Sequence, residues 1–556
     1  MITEESVSWD SLLQDTRARL AAAAPYVQAG KQVAAADAVK LLEAVLRPGD
    51  KVNLEGDNQK QADFLAECLC RVDPAQVHDL HMVQSVLSLD RHLDLFDKGI
   101  AKKLDFSFSG PQAGRLAEYV RAGKLEIGAI HTYLELYGRY FIDLTPRVAL
   151  VAAYSADRNG NLYTGANTED TPVIVEATKF KQGIVIVQVN EIVDQVPRVD
   201  IPADWVDFII QSPQPFYIEP LFTRDPALIT DAQILRAMMV IKGIYAEYGL
   251  QRLNHGIGFD TAAIELLLPT YGEELGLKGK ICSYFALNPH PTLIPAIESG
   301  WVRSVCCFGG EVGMEEYVKA RPDVFFIGPD GTMRSNRCLA QTAGHYALDI
   351  FIGGTLQIDR YGNSSTATAT RIAGFGGAPN MGCDARGRRH ATSGWLRCGE
   401  EYGLQQELTG GLPRGKRLVV QLQETFREKM TPGFVEELDA VQLAKNAGLA
   451  LPPVMIYSDD LTHIVTEEGI AYLHKCADMQ ERMAAVRAVA GYTDIGLQED
   501  PQETAALRKR GIFKTAEALG IDPARANRSL LAAKNMRELV HWSKGLYTPP
   551  ARFHNW

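Results

Sequence analysis

The chain has 556 residues, 46% of them apolar and 22% charged, an ordinary globular composition over a length too great for one core, so two α/β domains are expected. Its net charge of -11 excludes a general nucleic-acid binder, which needs a basic face against phosphates, and no apolar run reaches the roughly 20 residues that cross a bilayer. The acidic start MITEESVSWD has no secretory apolar stretch, the nine cysteines form no C-x-x-C pair and the twelve histidines no H-E-x-x-H, so free thiols, a cytoplasmic location and no metal are expected.

Residues 9–24 read as an exposed helix. Residues 37–47 read as an amphipathic one, with Val39, Leu42 and Leu46 at helical spacing and Pro48-Gly49 as its stop. A short strand over 52–54 leads through a glycine into a helix over about 59–72. Short apolar runs at 104–108, 148–153, 173–177, 183–189 and 206–210, several of them β-branched, read as strands of a mostly parallel sheet covered on both faces. The proline-rich stretch 211–226 breaks the alternation and divides a first domain, 1–225, from a second, 226–556. A long helix over 231–248 opens the second domain. Strand-like runs then resume at 281–286, 302–308, 324–327, 350–358 and 418–422. From about Thr462 the chain reads as a mainly helical, charged C-terminal extension.

Two segments carry chemistry. Gly56-Asp57-Asn58-Gln59-Lys60-Gln61 follows a strand and precedes a helix, where parallel sheets bind ligands and a helix N-terminus offers free N–H groups to an anion; Lys60 adds a point charge. A plain polar cap, with Asp57 or Asn58 at its head, is the other reading, and the segment by itself favours it. The second segment begins at Gly353-Gly354-Thr355 and runs into Gly374-Phe375-Gly376-Gly377-Ala378-Pro379-Asn380, then Cys383-Asp384-Ala385-Arg386-Gly387-Arg388-Arg389-His390. Its glycines let backbone N–H groups approach a ligand as an anion or oxyanion nest, and its arginines and histidine suit carboxylates and phosphates. The G-x-G-x-x-G spacing of a dinucleotide fold and the G-K-[ST] of a P-loop are both missing.

These segments resemble the family I CoA-transferases, whose second domain carries a comparable strand followed by a glycine loop. The strings GFGGAPNMGCDARGRRHAT and NLEGDNQKQADFLA more specifically resemble the alpha subunit of biotin-independent malonate decarboxylases, with the citrate lyase alpha subunit a more distant relative. The resemblance implies two CoA-transferase-like α/β domains with mostly parallel sheets. It implies a transferase that converts acetyl-S-ACP and malonate to malonyl-S-ACP and acetate, in a cytoplasmic complex with the acyl carrier protein and decarboxylase subunits. No cofactor is implied for the chain itself, because the carrier brings a CoA-like phosphoribosyl-dephospho-CoA arm; free acetyl-CoA is expected to mimic it.

One departure from the family pattern bears on mechanism. Its glutamate nucleophile would fall near Leu287-Asn288, and 283–290 holds no glutamate. Malonate is therefore expected to attack the acetyl thioester directly, through a mixed anhydride, with Glu311 the substitute if a covalent enzyme forms. Gly376, Gly377 and Asn288 are the expected oxyanion donors. Arg388 or Arg389 is expected on malonate's second carboxylate, and the Arg386 to Arg389 cluster alternatively on the arm's phosphates. Asn58, Gln59, Lys60, His290, His390, Asn380, Gly353 and Gly354 complete the expected binding set. The competing readings are a citrate lyase alpha-type or acetyl-CoA:carboxylate transferase, a non-catalytic carrier-docking scaffold, and, weakest, a dinucleotide-dependent oxidoreductase.

Overall fold

The computed structural model describes residues 9–56, 60–328, 337–338, 340–342, 348–379 and 418–554. The first sheet is built from β1 (Lys51–Leu54), β2 (Leu80–Val86), β3 (Ala101–Phe108), β4 (Glu126–Ile130), β5 (Val148–Asp157), β6 (Leu162–Tyr163), β7 (Ile184–Val193) and β8 (Phe208–Gln211). Its order is β4-β3-β2-β1-β5-β7-β8, all parallel, with β6 antiparallel against β5. Apolar side chains on both faces explain the strand sequences. Val148–Ala153 and Ile184–Val189 are buried at every position, because helices cover both sides of the sheet.

The run at 173–177 is not a strand. It lies in the helix Thr171–Phe180, with Pro172 in its first turn and Ile174, Val175, Ala177 and Thr178 buried. Two parallel strands, β5 and β7, flank it in sequence, and joining parallel neighbours requires a crossover, which outweighs the β-preference of three branched residues.

The second sheet contains β9 (Arg252–His255), β10 (Tyr284–Ala286), β11 (Ser304–Cys306) and β12 (Ile350–Gly354). Next in the chain come β13 (Gln357–Asp359) and β14 (Ser364–Ser365), which form a separate small sheet, and then β15 (Leu418–Leu422). The second sheet runs β11-β10-β9-β12-β15 and continues through His463–Thr466, Gly469–Tyr472 and Phe513–Lys514. These last three strands lie in the region from Thr462 expected to be mainly helical, and add a strand component to it. Two are four-residue strands joined as a tight antiparallel hairpin, and the third is two residues long, too short to show a period of two among charged flanks. The helices Met479–Val489, Pro501–Lys509 and Met536–Trp542 do lie in this region. Among the described residues, no helix is long and apolar enough to cross a membrane.

Both sheets reverse direction next to their first strand. The first switches between β1 and β5, the second between β9 and β12. Ligands of open parallel sheets bind at the carboxyl ends of strands at such points. A strap from the second half reaches the first sheet's carboxyl ends. Phe108 bridges Gly374, Ser109 N–H donates to the Ala373 carbonyl (2.8 Å), and Ile372 N–H donates to the Ala113 carbonyl (2.9 Å). Ala367 and Ile372 join the first core.

Candidate active site

A cavity of about 210 Å³ opens at the second sheet's switch point, between that sheet and the strap. Its walls come from the carboxyl end of β9 (Asn254, His255, Gly256), from the loop after β10 (Leu287, Asn288, His290) and from the end of β12 (Gly353, Gly354). The strap adds Gly374 to Ala378, and Phe108 of β3 and Tyr133 of the helix Tyr133–Tyr140 close it from the first half. Gly256 and Gly353 are small because they touch. A Cβ on Gly256 would lie 3.0 Å from the Gly353 Cα.

Of the residues expected at the site, Asn288, His290, Gly353, Gly354, Gly376 and Gly377 line this one cavity. Asn288 is buried and gives one of its amide N–H groups to the Gly310 carbonyl, at 2.7 Å. Gly377 packs against the Gln341 amide.

Gly376 requires a correction. Its N–H is taken by the Ser107 carbonyl (2.9 Å), which also accepts from Phe375 N–H (2.7 Å), so this glycine docks the strap instead of stabilising an oxyanion. Its φ of +56° is the left-handed turn that lets the strap bend back.

Glu311 is a second correction. It is 2% exposed, is not on the cavity wall, and accepts from Phe222 N–H (3.2 Å), Thr223 N–H (2.9 Å) and Thr223 Oγ1–H (2.6 Å). The carboxylate anchors the segment joining the two sheets, and it is not poised as a nucleophile. A third correction concerns Lys60. Its ammonium is wholly buried, 3.4 Å from Glu55 and bonded to Thr171, which makes it an interior counter-ion away from the cavity wall. Asn58, Gln59, Asn380, Arg386, Arg388, Arg389 and His390 lie outside the described residues.

Two features escaped the sequence reading. The first is Arg337, the one arginine on this wall among the described residues. It is 2% exposed, stacks over Tyr133 (4.9 Å to the ring centroid) and pairs with Glu169 and Asp170 of the first half. Glu169 sits at φ +47° against Gly309, where any side chain would collide with its carboxyl. Burial lifts the Glu169 carboxyl from 4.5 to about 7, with Arg337 opposing the rise and Asp170 adding to it. A carboxyl held above its unfolded value stabilises the fold fully below about pH 4.5, and that contribution is lost as pH rises through about 7. Glu169→Gln is therefore expected to flatten the fall of wild-type stability across that window, read from urea midpoints at a series of pH values. An unchanged slope would rule Glu169 out as its source.

The second missed feature is Glu265, on the helix Phe259–Leu267. All seven residues from Thr261 to Leu267 on this helix are buried. A lone carboxylate in the apolar run of residues 262–268 is the signal that could have found it. Glu265 Oε1 lies 2.9 Å from both His255 Nδ1 and His290 Nδ1, and Thr292 Oγ1–H donates to Oε2 at 2.5 Å. Burial alone would raise its pKa. The two histidines, His290 foremost, outweigh that and hold it at about 2, so it is an ionised acceptor at neutral pH. Both histidines line the cavity. Among the described residues no wall side chain is a carboxylate, and no group of three His, Cys, Asp or Glu is placed to hold a metal ion.

Comparison with known proteins places this geometry. Residues 8–556 match the family described as malonate decarboxylase, alpha subunit, transporter. A curated relative from Malonomonas rubra, acetyl-S-ACP:malonate ACP transferase, is 70% identical over 548 residues, 99% of each chain. A chain of a Pseudomonas malonate decarboxylase hetero-tetramer, solved in complex with malonate, is 58% identical with a TM-score of 0.91, covering 99% of both chains. An acyl-CoA transferase apoenzyme from Escherichia coli O157:H7 shares the fold alone, at 13% identity and TM-score 0.51 over 81% of this chain and 89% of that one. With matches this long and this close, spanning both sheets, the strap and the cavity between them, the chain belongs to the malonate decarboxylase alpha subunit family.

Proposed function

We propose that this chain is the transferase subunit that exchanges acetate for malonate on an acyl carrier protein, turning acetyl-S-ACP and malonate into malonyl-S-ACP and acetate. The observation that carries this reading is the 70% identity, over 99% of the chain, to a transferase of that name. The partners in this reading are the carrier protein and the decarboxylase subunits of a cytoplasmic complex. The CoA-like arm arrives with the carrier, and the chain needs no cofactor of its own.

The lining of the cavity supports a direct route. With no carboxylate on the described wall, malonate's own carboxylate attacks the acetyl thioester and forms a mixed anhydride. The released sulfur then attacks the malonyl carbonyl and acetate departs. Bond energies nearly balance, so catalysis consists of holding two reactants together and stabilising two successive oxyanions. The Gly377 N–H and the Asn288 amide are the donors proposed for that charge. Asn288→Ala is expected to lower kcat by about 10²–10³-fold.

The test incubates the purified chain with acetyl-CoA or acetylated carrier and labelled malonate, and follows malonyl thioester while intact mass reports on the protein. Malonyl thioester without a protein adduct is the expected result. An adduct released by hydroxylamine would overturn direct attack, and transfer to citrate in place of malonate would favour a citrate lyase alpha-type activity.

A further inference from the structure

His290 is 4% exposed, and its Nε2 has no hydrogen-bond partner although it lines the cavity. The ring cannot swing away. Pro289 and Pro291 flank it, its backbone is extended (φ -60°, ψ 128°), and Phe222 stacks on it at 5.3 Å between centroids. Glu265 sets the tautomer. An ionised carboxylate only accepts, so Nδ1 carries a proton toward it and the neutral ring presents a bare Nε2 lone pair to the cavity. The neighbouring His255 is fixed the same way, but its Nε2 accepts from the Tyr245 hydroxyl at 2.8 Å and is closed to substrate. Burial lowers the His255 pKa against the pull of Glu265, and burial keeps the Tyr245 hydroxyl protonated.

A buried lone pair needs a donor. Resting on the transferase reading above, the reactants offer one candidate: malonate and acetate are acceptor-only anions, whereas the carrier's sulfur passes through a thiol. Most of the lining is apolar, Phe222, Phe308, Phe351 and Leu287 among it, and its one described cation, Arg337, is held by Glu169 and Asp170, so a free thiolate would be poorly solvated there. We propose that His290, positioned by Glu265, is the acid–base catalyst for the carrier's sulfur. When the anionic carboxylate enters the acylated site, the neutral ring takes up a proton from solvent on Nε2, with that carboxylate as counter-ion, to be returned to solvent when the product carboxylate departs. As the acyl C–S bond breaks, Nε2–H gives its proton to the sulfur. The neutral ring takes the same proton back as the sulfur attacks the second acyl carbon, and the exchange leaves no net proton taken up or released. The arrangement has the logic of a carboxylate–histidine–nucleophile triad, with Glu265 acting through the ring.

The test compares two acetyl donors at saturating malonate: acetyl-CoA, whose alkyl sulfur needs a proton to leave, and S-acetyl thionitrobenzoate, whose aryl thiolate leaves without one. His290→Gln is expected to slow transfer from acetyl-CoA by about 10²–10⁴-fold and from the aryl thioester by less than about tenfold. Glu265→Gln is expected to show the same donor dependence with the KM for malonate unchanged. Because each variant is judged by the ratio between its own two donors, partial misfolding cancels. Equal losses with both donors would overturn the proposal and leave His290 a binding or structural residue. A wild-type chain that passes neither acetyl group to malonate would refute the transferase reading and this inference with it.

Discussion

Arg337→Met is expected to destabilise the folded chain by about 3–5 kcal/mol, because it removes the counter-charge from buried acids while keeping the side-chain volume. Arg337, Glu169 and Asp170 are all 2% exposed or less, so water cannot replace the guanidinium. Asp170 keeps one donor, the Tyr137 hydroxyl at 2.5 Å, but Glu169 keeps no comparable partner. Adding Glu169→Gln to Arg337→Met is expected to recover at least about 1 kcal/mol, since the two side chains are in contact and their effects are coupled. The measurement is the urea midpoint followed by tryptophan fluorescence for the two single variants and the double. A single Arg337→Met chain unfolding at the wild-type midpoint would show that this pair does not hold the two halves together. Because Arg337 also forms cavity wall, acyl transfer should fall in the same variant.

Gly374→Val is expected to lower acyl transfer at least about 10²-fold, the usual cost of moving reacting groups by about an ångström. Gly374 has φ +80°, and a Cβ there would collide with the Ser107 carbonyl, the acceptor that holds Phe375 and Gly376 in place. That acceptor is backbone inside the first sheet and cannot yield, so the strap must lift and carry Gly376 and Gly377 with it. A control separates this from strain alone. Gly276 has φ +64° with nothing within 4 Å of the place a Cβ would occupy, so Gly276→Ala should cost about 1–2 kcal/mol of stability and leave transfer within about twofold. Transfer rates with acetyl-CoA and malonate, set beside thermal midpoints, decide the matter. Equal activity in the two variants would mean the strap does not position the site.

Local pattern carried much of the fold. The apolar runs 148–153 of β5 and 184–189 of β7 are buried at every position, and β15 at all but its first, and their composition alone says that both faces are covered. The helix Asp231–Val240 begins at a Thr230–Gln233 capping box, a four-residue signal that needs no tertiary context. The glycines of the strap, and the absence of a glutamate near Asn288, were likewise legible, because both are statements about residue type at a position.

Pairings across the fold were not legible. Glu265 and His290 are 25 positions apart, and Arg337 meets Glu169 of the first half across a far longer stretch of chain. A buried carboxylate is stable only when other elements supply its donors, so its role is decided by packing and not by its neighbours in sequence. The same reason turned Glu311 from an expected nucleophile into the anchor of the inter-sheet segment and Lys60 from an expected ligand contact into the counter-ion of Glu55. Likewise, whether the Gly376 N–H was free for an oxyanion depended on where the Ser107 carbonyl lay. The sequence by itself determined the covered parallel sheets, the glycine strap and the residue types available for acyl exchange. The tertiary structure decided which polar groups satisfy one another and which, like His290 Nε2, are left facing the cavity, because hydrogen bonds saturate and each donor or acceptor is used where the fold brings its partner.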